Sequence, residues 1–202
     1  MDHEILAMSA VQLLDRYRDK TLSPVEVTRL NPVVNAFCLV DEETTLALAK
    51  ESEQRYAKGA AKGLLDGVPV AVKDVFLTPM WPTLKGSKTV QGASTLHKEA
   101  PAVAALSRHG YVPLGKTTTP EFGWKGVTDN PVDGVTRNPW NPETTPGGSS
   151  GGSSAAVALG MGSLAQYAFP PRFAGLSGTN PPSAKCLTGR RARLVRWPTP
   201  GR

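Results

Sequence analysis

The apolar positions of this chain fall into short blocks, some with helical spacing and some continuous. Residues 10–17 predict a short amphipathic helix, because Val11, Leu14 and Tyr17 recur on one side of it. Residues 23–26 have the order Ser-Pro-Val-Glu. In that order serine can cap a helix, proline suits its first turn and glutamate completes a capping box. A second helix is therefore expected to begin there.

Two further segments also predict helices. Residues 41–58 have Leu46, Ala49 and Ala57 at helical spacing, so these three residues are expected to form a buried stripe. Residues 100–109 predict the next helix, and a glycine follows its last residue, as is common where helices end.

Two apolar runs predict strands instead. Residues 67–74, Gly-Val-Pro-Val-Ala-Val-Lys-Asp, are expected to include a buried strand that ends at Lys73. Residues 112–116 predict a second short strand. Because strands alternate with helices, the expected fold class is α/β.

Turn-forming residues are frequent after the second strand. Residues 117–145 carry turn signals throughout, so specific contacts rather than a regular ladder must hold them. Residues 146–154 are Pro-Gly-Gly-Ser-Ser-Gly-Gly-Ser-Ser, and residues 155–160 predict a helix of small residues. The glycine–serine run is either a turn that presents its serines ahead of a helix or a flexible linker. The apolar residues that follow directly favour the turn.

Composition narrows the function classes without choosing one. The 202 residues are 40% hydrophobic and 20% charged, which is an ordinary globular balance. No apolar run approaches the ~20 residues that a membrane helix needs, and the first ten residues do not resemble a signal peptide. Two distant cysteines and three scattered histidines predict neither a disulfide framework nor a metal site. A cytoplasmic protein without a metal is expected.

The formal net charge of +6 is concentrated in one segment. The last 19 residues contain six basic residues and no acidic one, whereas the other 17 basic residues equal the 17 acidic residues in number. A basic segment can bind phosphate backbones nonspecifically, although more often it is simply solvated. Specific nucleic-acid binding is therefore disfavoured.

Lys73 is the residue whose position most suggests chemistry. A lysine at the end of a buried strand loses solvation, which lowers its pKa and makes a neutral, proton-accepting amine accessible. Alternatively, the ammonium group reaches solvent beyond the strand end, and the pattern leaves both possibilities open.

Four motifs occur in the order found in one enzyme family. They are residues 67–74, Leu-Gly-Lys-Thr with Pro-Glu-Phe within residues 114–122, Thr-Arg-Asn-Pro-Trp-Asn-Pro at residues 136–142, and the run at residues 146–154. Over roughly residues 9–166 the chain resembles the amidase signature family. The resemblance implies an α/β/α fold with a mixed sheet, of which this chain would be a truncated N-terminal portion. It also implies hydrolysis of a small-molecule amide to acid and ammonia, with no metal or organic cofactor.

The resemblance implies roles for particular residues. Members of the family use a nucleophilic serine, a second serine preceded by a cis peptide bond, and a lysine base. Lys73 matches the lysine, Ser149 the serine that relays the proton, and Ser150 its supporting neighbour. Gly147 and Gly148 are expected to contact the substrate, because a glycine-rich turn before a helix offers N–H donors.

The segment that should carry the nucleophile departs from the family pattern. Relatives have a sequence resembling Gly-Thr-Asp-Gly-Gly-Gly-Ser after the small-residue helix, whereas residues 164–173 are Leu-Ala-Gln followed by an aromatic and proline-rich stretch. Ser163 lies too early and Ser177 too late to match. A substitute serine without the glycine N–H donors would lose several orders of magnitude in rate. The nucleophile is therefore not identifiable, and little or no amidase activity is expected.

The expected organisation is a partial amidase-signature domain over residues 1–178 and an unstructured basic tail over residues 179–202. Codons permitted for residues 179–187, read one nucleotide earlier, can encode Lys-Pro-Ser-Phe-Gly-Lys-Val-Pro, which resembles the continuation in relatives. This compatibility motivates the hypothesis of a reading-frame slip near Thr179. Sequencing the gene tests the reading-frame slip. If the third bases of these codons do not encode the octapeptide in the shifted frame, the slip is excluded.

Three other functions compete with a defective amidase. The chain could be a remnant without activity, a ligand-binding module that keeps the glycine–serine turn, or, less favoured, a nucleic-acid binder acting through its tail. The amide substrate and the oligomeric state do not follow from the sequence.

Overall fold

The computed structural model describes residues 31–159 and 161, the backbone of residues 164–165, and the isolated residues 16, 19 and 21. The helices predicted before residue 31, apart from Arg16, and the tail at residues 179–202 lie outside the described residues. The elements in chain order are α1 Asn31–Val34, β1 Phe37–Val40, α2 Glu42–Ala57, β2 Pro69–Lys73, α3 Pro101–Arg108, β3 Val112–Thr117, β4 Asp129–Asn130, β5 Gly134–Val135, α4 Gly151–Ala158 and β6 Leu164–Ala165. Short 3-10 turns lie at Gly92–Thr95 and Glu121–Gly123.

Four of the strands form a mixed sheet in the order β1-β3-β2-β6. Strand β2 is parallel to β3 and to β6, whereas β1 is antiparallel to β3. Strands β4 and β5 form a separate antiparallel pair. Every residue of β2 and β3 is buried, as expected for central strands that are covered on both faces. The α/β class and the mixed sheet predicted from the sequence are therefore confirmed.

Apolar packing covers both faces of β2. On one face Ala71 packs in a cluster with Ala155 of α4, and on the other face Val72 packs in a cluster with Val103 of α3. Because successive side chains of a strand point to opposite faces, Lys73 shares the face of Ala71 and points towards α4. The layered helix–sheet–helix arrangement thus fixes which side of the sheet receives the lysine.

Helix α2 is present where the sequence predicts it, but its buried side differs. Thr45 and Ser52 are buried, whereas Ala57, predicted to lie on the buried stripe, is exposed. The Thr45 hydroxyl donates to the carbonyl of Pro113 on β3 at 2.8 Å. A hydrogen-bonded hydroxyl can be buried at little cost, so apolar spacing alone misplaces the stripe.

Side-chain hydrogen bonds hold much of the turn-rich span at residues 117–145, as predicted. The Asn130 amide donates to the carbonyl of Thr119 at 2.7 Å, and the hydroxyl groups of Thr118 and Thr136 are hydrogen-bonded at 2.6 Å. These contacts attach the later part of the span to residues 118–119, which directly follow β3 beside the end of β2 that carries Lys73.

Candidate active site

Strand β2 places Lys73 in a fully buried position with two hydroxyl groups as partners. Its side chain is 0% exposed. The Nζ atom donates to Ser149 Oγ at 2.7 Å and to Ser150 Oγ at 3.0 Å. Burial lowers the pKa of Lys73 from 10.5 to about 8. Of the two environments that the sequence allows for this lysine, the structure has the desolvated one.

No carboxylate offsets the burial of Lys73 among the described residues. None of the ion pairs that the described residues form includes it. Desolvation disfavours the charged form of an amine, and neutral hydroxyl groups compensate for it less than a carboxylate does. The lysine can therefore accept a proton at mildly alkaline pH.

A second buried lysine, Lys116 on β3, lies in a different environment. Its Nζ atom is 3.3 Å from Asp74 Oδ1 and donates to the Phe76 carbonyl and to Thr83 Oγ1, each at 2.7 Å. Burial lowers the pKa of Lys116, and Asp74 opposes this shift. Burial raises the pKa of Asp74, and Lys116 opposes that shift in turn. Lys116 is thus a buried cation with its own counter-ion.

Sequence reasoning did not find the pair of Lys116 and Asp74. The sequence pattern predicts for Lys116 only a place in a strand and in a motif. A usable signal was present, because Lys116, like Lys73, stands in an apolar strand and an acidic residue directly follows β2.

The segment from Gly147 to Gly151 forms a turn that presents both serines to Lys73. The peptide bond between Gly148 and Ser149 is cis, and Gly147 has a φ of +91°. The Thr128 hydroxyl donates to the Gly147 carbonyl at 2.8 Å and accepts from the Gly151 N–H at 3.1 Å. One threonine side chain therefore ties the two ends of the turn together.

Two more threonines hold this region. The Thr119 hydroxyl donates to the carbonyl of Ser149 at 3.2 Å, and the Thr117 hydroxyl is hydrogen-bonded to Ser153 at 2.7 Å. The sequence pattern assigns no role to Thr117, Thr119 or Thr128. A signal for the first two is present, because residues 117–119 are three consecutive threonines at the end of a predicted strand.

The two glycines expected to contact substrate are used to build the turn. The N–H of Gly147 donates to Thr145 Oγ1 at 3.1 Å. A Cβ atom on Gly148 would lie 2.7 Å from the Lys125 carbonyl oxygen and 2.8 Å from the Gly126 carbonyl carbon. Glycine is therefore required at position 148 for close packing, while a contact with substrate stays a prediction.

Helix α4 begins at Gly151, four residues before the predicted start at residue 155, and Ser150 occupies the N-cap position. Glycine and serine have low helix propensity, which explains the difference. Gly151 and Gly152 are buried against the side chains of Thr128 and Thr118, where a larger residue would not fit. The glycine–serine run is thus a packed turn and first helical turn, and not a flexible linker.

The candidate nucleophiles lie beyond the part of the chain that the structure describes. Ser163 and Ser177 are both outside it. Over the described residues no group of three or more histidine, cysteine, aspartate or glutamate side chains could hold a metal ion. No described helix is long and apolar enough to cross a membrane. The cytoplasmic location stays a prediction.

Comparison with known proteins gives consistent results over most of the chain. The amidase family model matches residues 24–166. The chain is 40% identical over 187 residues to a glutamyl-tRNA(Gln) amidotransferase subunit from Cupriavidus pinatubonensis, covering 84% of this chain and 36% of that protein. It is 42% identical over 183 residues to the protein of the same name from Burkholderia pseudomallei, covering 86% and 34%. The chain spans about a third of the length of these relatives.

Solved structures show the same fold. A crystal structure of an amidase matches with a TM-score of 0.69 and 31% identity, covering 78% of this chain and 38% of that one. A bacterial aryl acylamidase of the amidase signature family matches with a TM-score of 0.64 and 31% identity, covering 77% and 34%. The peptide amidase of Stenotrophomonas maltophilia matches with a TM-score of 0.67 and 28% identity, covering 78% and 35%.

Proposed function

This chain belongs to the amidase family, and from that membership we propose that it carries the proton-transfer half of a site for amide hydrolysis. Lys73 is the general base, Ser149 relays the proton, and Ser150 supports the pair. The substrate class is a small-molecule carboxylic amide, hydrolysed to an acid and ammonia.

The contact between Lys73 and Ser149 carries this proposal. The two side-chain atoms are 2.7 Å apart, which is within the range for proton transfer between a base and a hydroxyl. The lowered pKa of Lys73, at about 8, supplies a neutral amine at the pH where such a base must act. The hydroxyl of Ser150, 3.0 Å from the same Nζ atom, supports the lysine from a second side.

The chemistry follows from these contacts. Neutral Lys73 accepts a proton from Ser149 as Ser149 accepts one from the attacking hydroxyl, so that a single base activates a nucleophile through a relay. An acyl-enzyme then forms, and water hydrolyses it. Lysine has the role that histidine has in a serine–histidine–aspartate triad.

No residue of this sequence matches the serine that supplies the attacking hydroxyl in the family. Residues 164–173 depart from the glycine-rich nucleophile segment of the family, and the glycines whose N–H groups would stabilise the oxyanion are missing from that stretch. Removing one such donor typically costs about 100-fold or more in rate. We therefore propose that this form of the protein hydrolyses amides slowly or not at all.

Ammonia release tests the proposed inactivity. The purified chain is incubated with acetamide, propionamide and benzamide, and ammonia is compared with that from Lys73→Ala and from Lys50→Ala, an exposed-lysine control. We expect the three proteins to release ammonia at the same background rate. Turnover by the wild type that Lys73→Ala abolishes and Lys50→Ala retains would contradict the proposed inactivity and would establish an active amidase.

The identity of the amide is open to experiment. The similar proteins act, by their names, on different compounds: one group is an amidotransferase for glutamyl-tRNA(Gln), another is an aryl acylamidase, and another is a peptide amidase. These names share chemistry at an acyl–nitrogen bond, and within small-molecule carboxylic amides we propose no particular compound.

A further inference from the structure

Ser149 has the local environment of a nucleophile as well as that of a relay. Its Oγ atom is 2.7 Å from the Nζ atom of Lys73. Ser149 is 7% exposed, whereas Lys73 is 0% exposed. Both residues are therefore buried, and of the two only Ser149 keeps a small exposed fraction.

We propose that Ser149 and Lys73 form a serine–lysine dyad in which Ser149 itself attacks carboxylic esters that have a good leaving group. This inference rests on the proposed role of Lys73 as a base. It goes beyond that role because it assigns the nucleophile to Ser149, and it needs no further serine.

Side-chain hydrogen bonds fix the backbone around Ser149, as the positioning of a nucleophile requires. Thr119 donates to the Ser149 carbonyl, and Thr128 ties Gly147 to Gly151 on either side of it. Gly123 lies beside Ser149, since a Cβ built on this glycine would be 3.9 Å from the Ser149 Cβ atom. The same Cβ would lie 3.4 Å from Val75 Cγ1 and 3.7 Å from Thr119 Oγ1, so these two side chains border the position next to the serine.

The reaction balances with the groups present. Neutral Lys73 takes the proton from the Ser149 hydroxyl, and Oγ forms a bond to the ester carbonyl carbon. The bond from that carbon to the aryl oxygen breaks, and its electron pair leaves with the phenolate. The proton on Lys73 passes to solvent. Water then hydrolyses the acyl-serine, which releases the acid and restores the serine hydroxyl.

The leaving group decides which substrates this dyad accepts. An amine leaves from an amide only when it is protonated, and its tetrahedral intermediate needs strong oxyanion stabilisation. A nitrophenolate leaves without a proton, so an activated aryl ester makes smaller demands on the site. The dyad should therefore react with such esters even where amide turnover is undetectable.

Acetylation by para-nitrophenyl acetate tests the proposal. The full chain is mixed with excess ester, nitrophenolate release is followed by absorbance, and the acetylated residue is located by peptide mass mapping. We expect a burst of about one nitrophenolate per chain, with the acetyl group on Ser149 and slow deacylation. The burst rate should rise with pH and level off above about 8, where Lys73 becomes neutral.

Variants separate the dyad from background labelling. Ser149→Ala removes the hydroxyl that is acetylated and should abolish the burst. Lys73→Met should slow it about 100-fold or more, since a positioned base contributes at least that much. The controls Ser94→Ala and Lys50→Met change exposed residues and should keep the wild-type burst. Each variant must show a cooperative thermal melt, which establishes that it is folded. If a variant does not fold, the position of the acetyl group in the wild type still decides whether Ser149 is the nucleophile.

The result that would overturn the dyad is an acetyl group on Lys73 or on surface residues, with Ser149 unmodified. Titration of Lys73 by NMR separates this failure from that of the proposed function. A lowered Lys73 pKa with unmodified Ser149 overturns the dyad and leaves the base in place. An ordinary Lys73 pKa with unmodified Ser149 overturns both.

Discussion

Lys73 and Lys116 lie on neighbouring parallel strands, one register position apart, and their side chains leave opposite faces of the sheet. Lys73 pairs in register with Thr117, and Val72 pairs with Lys116. On its own face Lys73 meets two serine hydroxyls, whereas Lys116 meets the carboxylate of Asp74. Two chemically identical groups thus differ in their surroundings: among the described residues Lys73 has no counter-ion, whereas Lys116 has Asp74.

The environment of Lys73 predicts that stability depends on pH. The unfolded chain keeps a proton on this lysine up to about pH 10.5, and the folded chain only up to about pH 8. Between these values the unfolded state binds more protons, so the free energy of unfolding should rise with pH across the window. Between these two pH values the free energy of unfolding of the wild type should increase, relative to that of Lys73→Met, by on the order of 3 kcal/mol.

Urea denaturation of the wild type, Lys73→Met and Lys50→Met at several pH values between 8 and 10.5 measures this effect. Lys50→Met removes an exposed lysine and should follow the wild-type curve. If the wild type and Lys73→Met gave parallel curves, Lys73 would titrate in the folded chain as it does in the unfolded one.

The pairing of Lys116 with Asp74 predicts a large effect of removing one partner. Lys116→Met leaves the Asp74 carboxylate buried without its cation and removes the donors to Phe76 and Thr83. We expect a loss of about 3–5 kcal/mol in the free energy of unfolding. The double variant Lys116→Met with Asp74→Asn should recover part of this loss, because the uncompensated charge is gone. Chemical denaturation of both variants checks this, and equal losses would mean that charge pairing is not the cause.

The sequence was sufficient to predict strands β2 and β3, but it predicted neither β1 and β6 of the same sheet nor the groups that surround Lys73. The continuous apolar run before Lys73 fixes a buried strand, and the motif order places Ser149 and Ser150 near it. The positions of Thr119 and Thr128 depend on how a turn-rich span folds back on the chain. That path is set by long-range side-chain hydrogen bonds, such as Asn130 to Thr119, which leave no periodic signal.

The start of α4 and the buried side of α2 also could not be predicted from the local sequence. Local propensity places the start of α4 after the glycines and serines, but close packing makes residues 151–154 helical. Burial of Thr45 and Ser52 in α2 likewise depends on partners elsewhere in the chain, such as the carbonyl of Pro113. Both differences arise because tertiary contacts outweigh local preference.

The Thr128 side chain predicts a specific loss when its hydroxyl is removed. Thr128→Val is close in shape but leaves the Gly147 carbonyl and the Gly151 N–H without their partner. We expect a loss of about 1–3 kcal/mol in the free energy of unfolding. Thr128→Ser keeps the hydroxyl and should lose about 1 kcal/mol or less.

Thermal and urea denaturation of the two Thr128 variants give the comparison, and titration of Lys73 by NMR adds a local readout. Because the turn positions Ser149 against Lys73, Thr128→Val should also shift the pKa of the lysine, while Thr128→Ser should not. Equal stabilities and an unchanged Lys73 titration in both variants would show that the hydroxyl does not hold the turn.

An added side chain at Gly148 is expected to clash with the backbone that packs against the glycine–serine turn. A Cβ atom there would lie 2.7 Å from the Lys125 carbonyl oxygen and 2.8 Å from the Val127 backbone nitrogen. Both neighbours are backbone atoms, so neither can rotate away, and Gly148→Ala should cost about 1–3 kcal/mol or more. Gly126→Ala is the matched control, because a Cβ there meets nothing within 4 Å, and its cost should stay within about 1 kcal/mol. Urea denaturation compares the two; an alanine tolerated equally at both positions would mean that the segment at residues 125–127 does not pack against the turn as described.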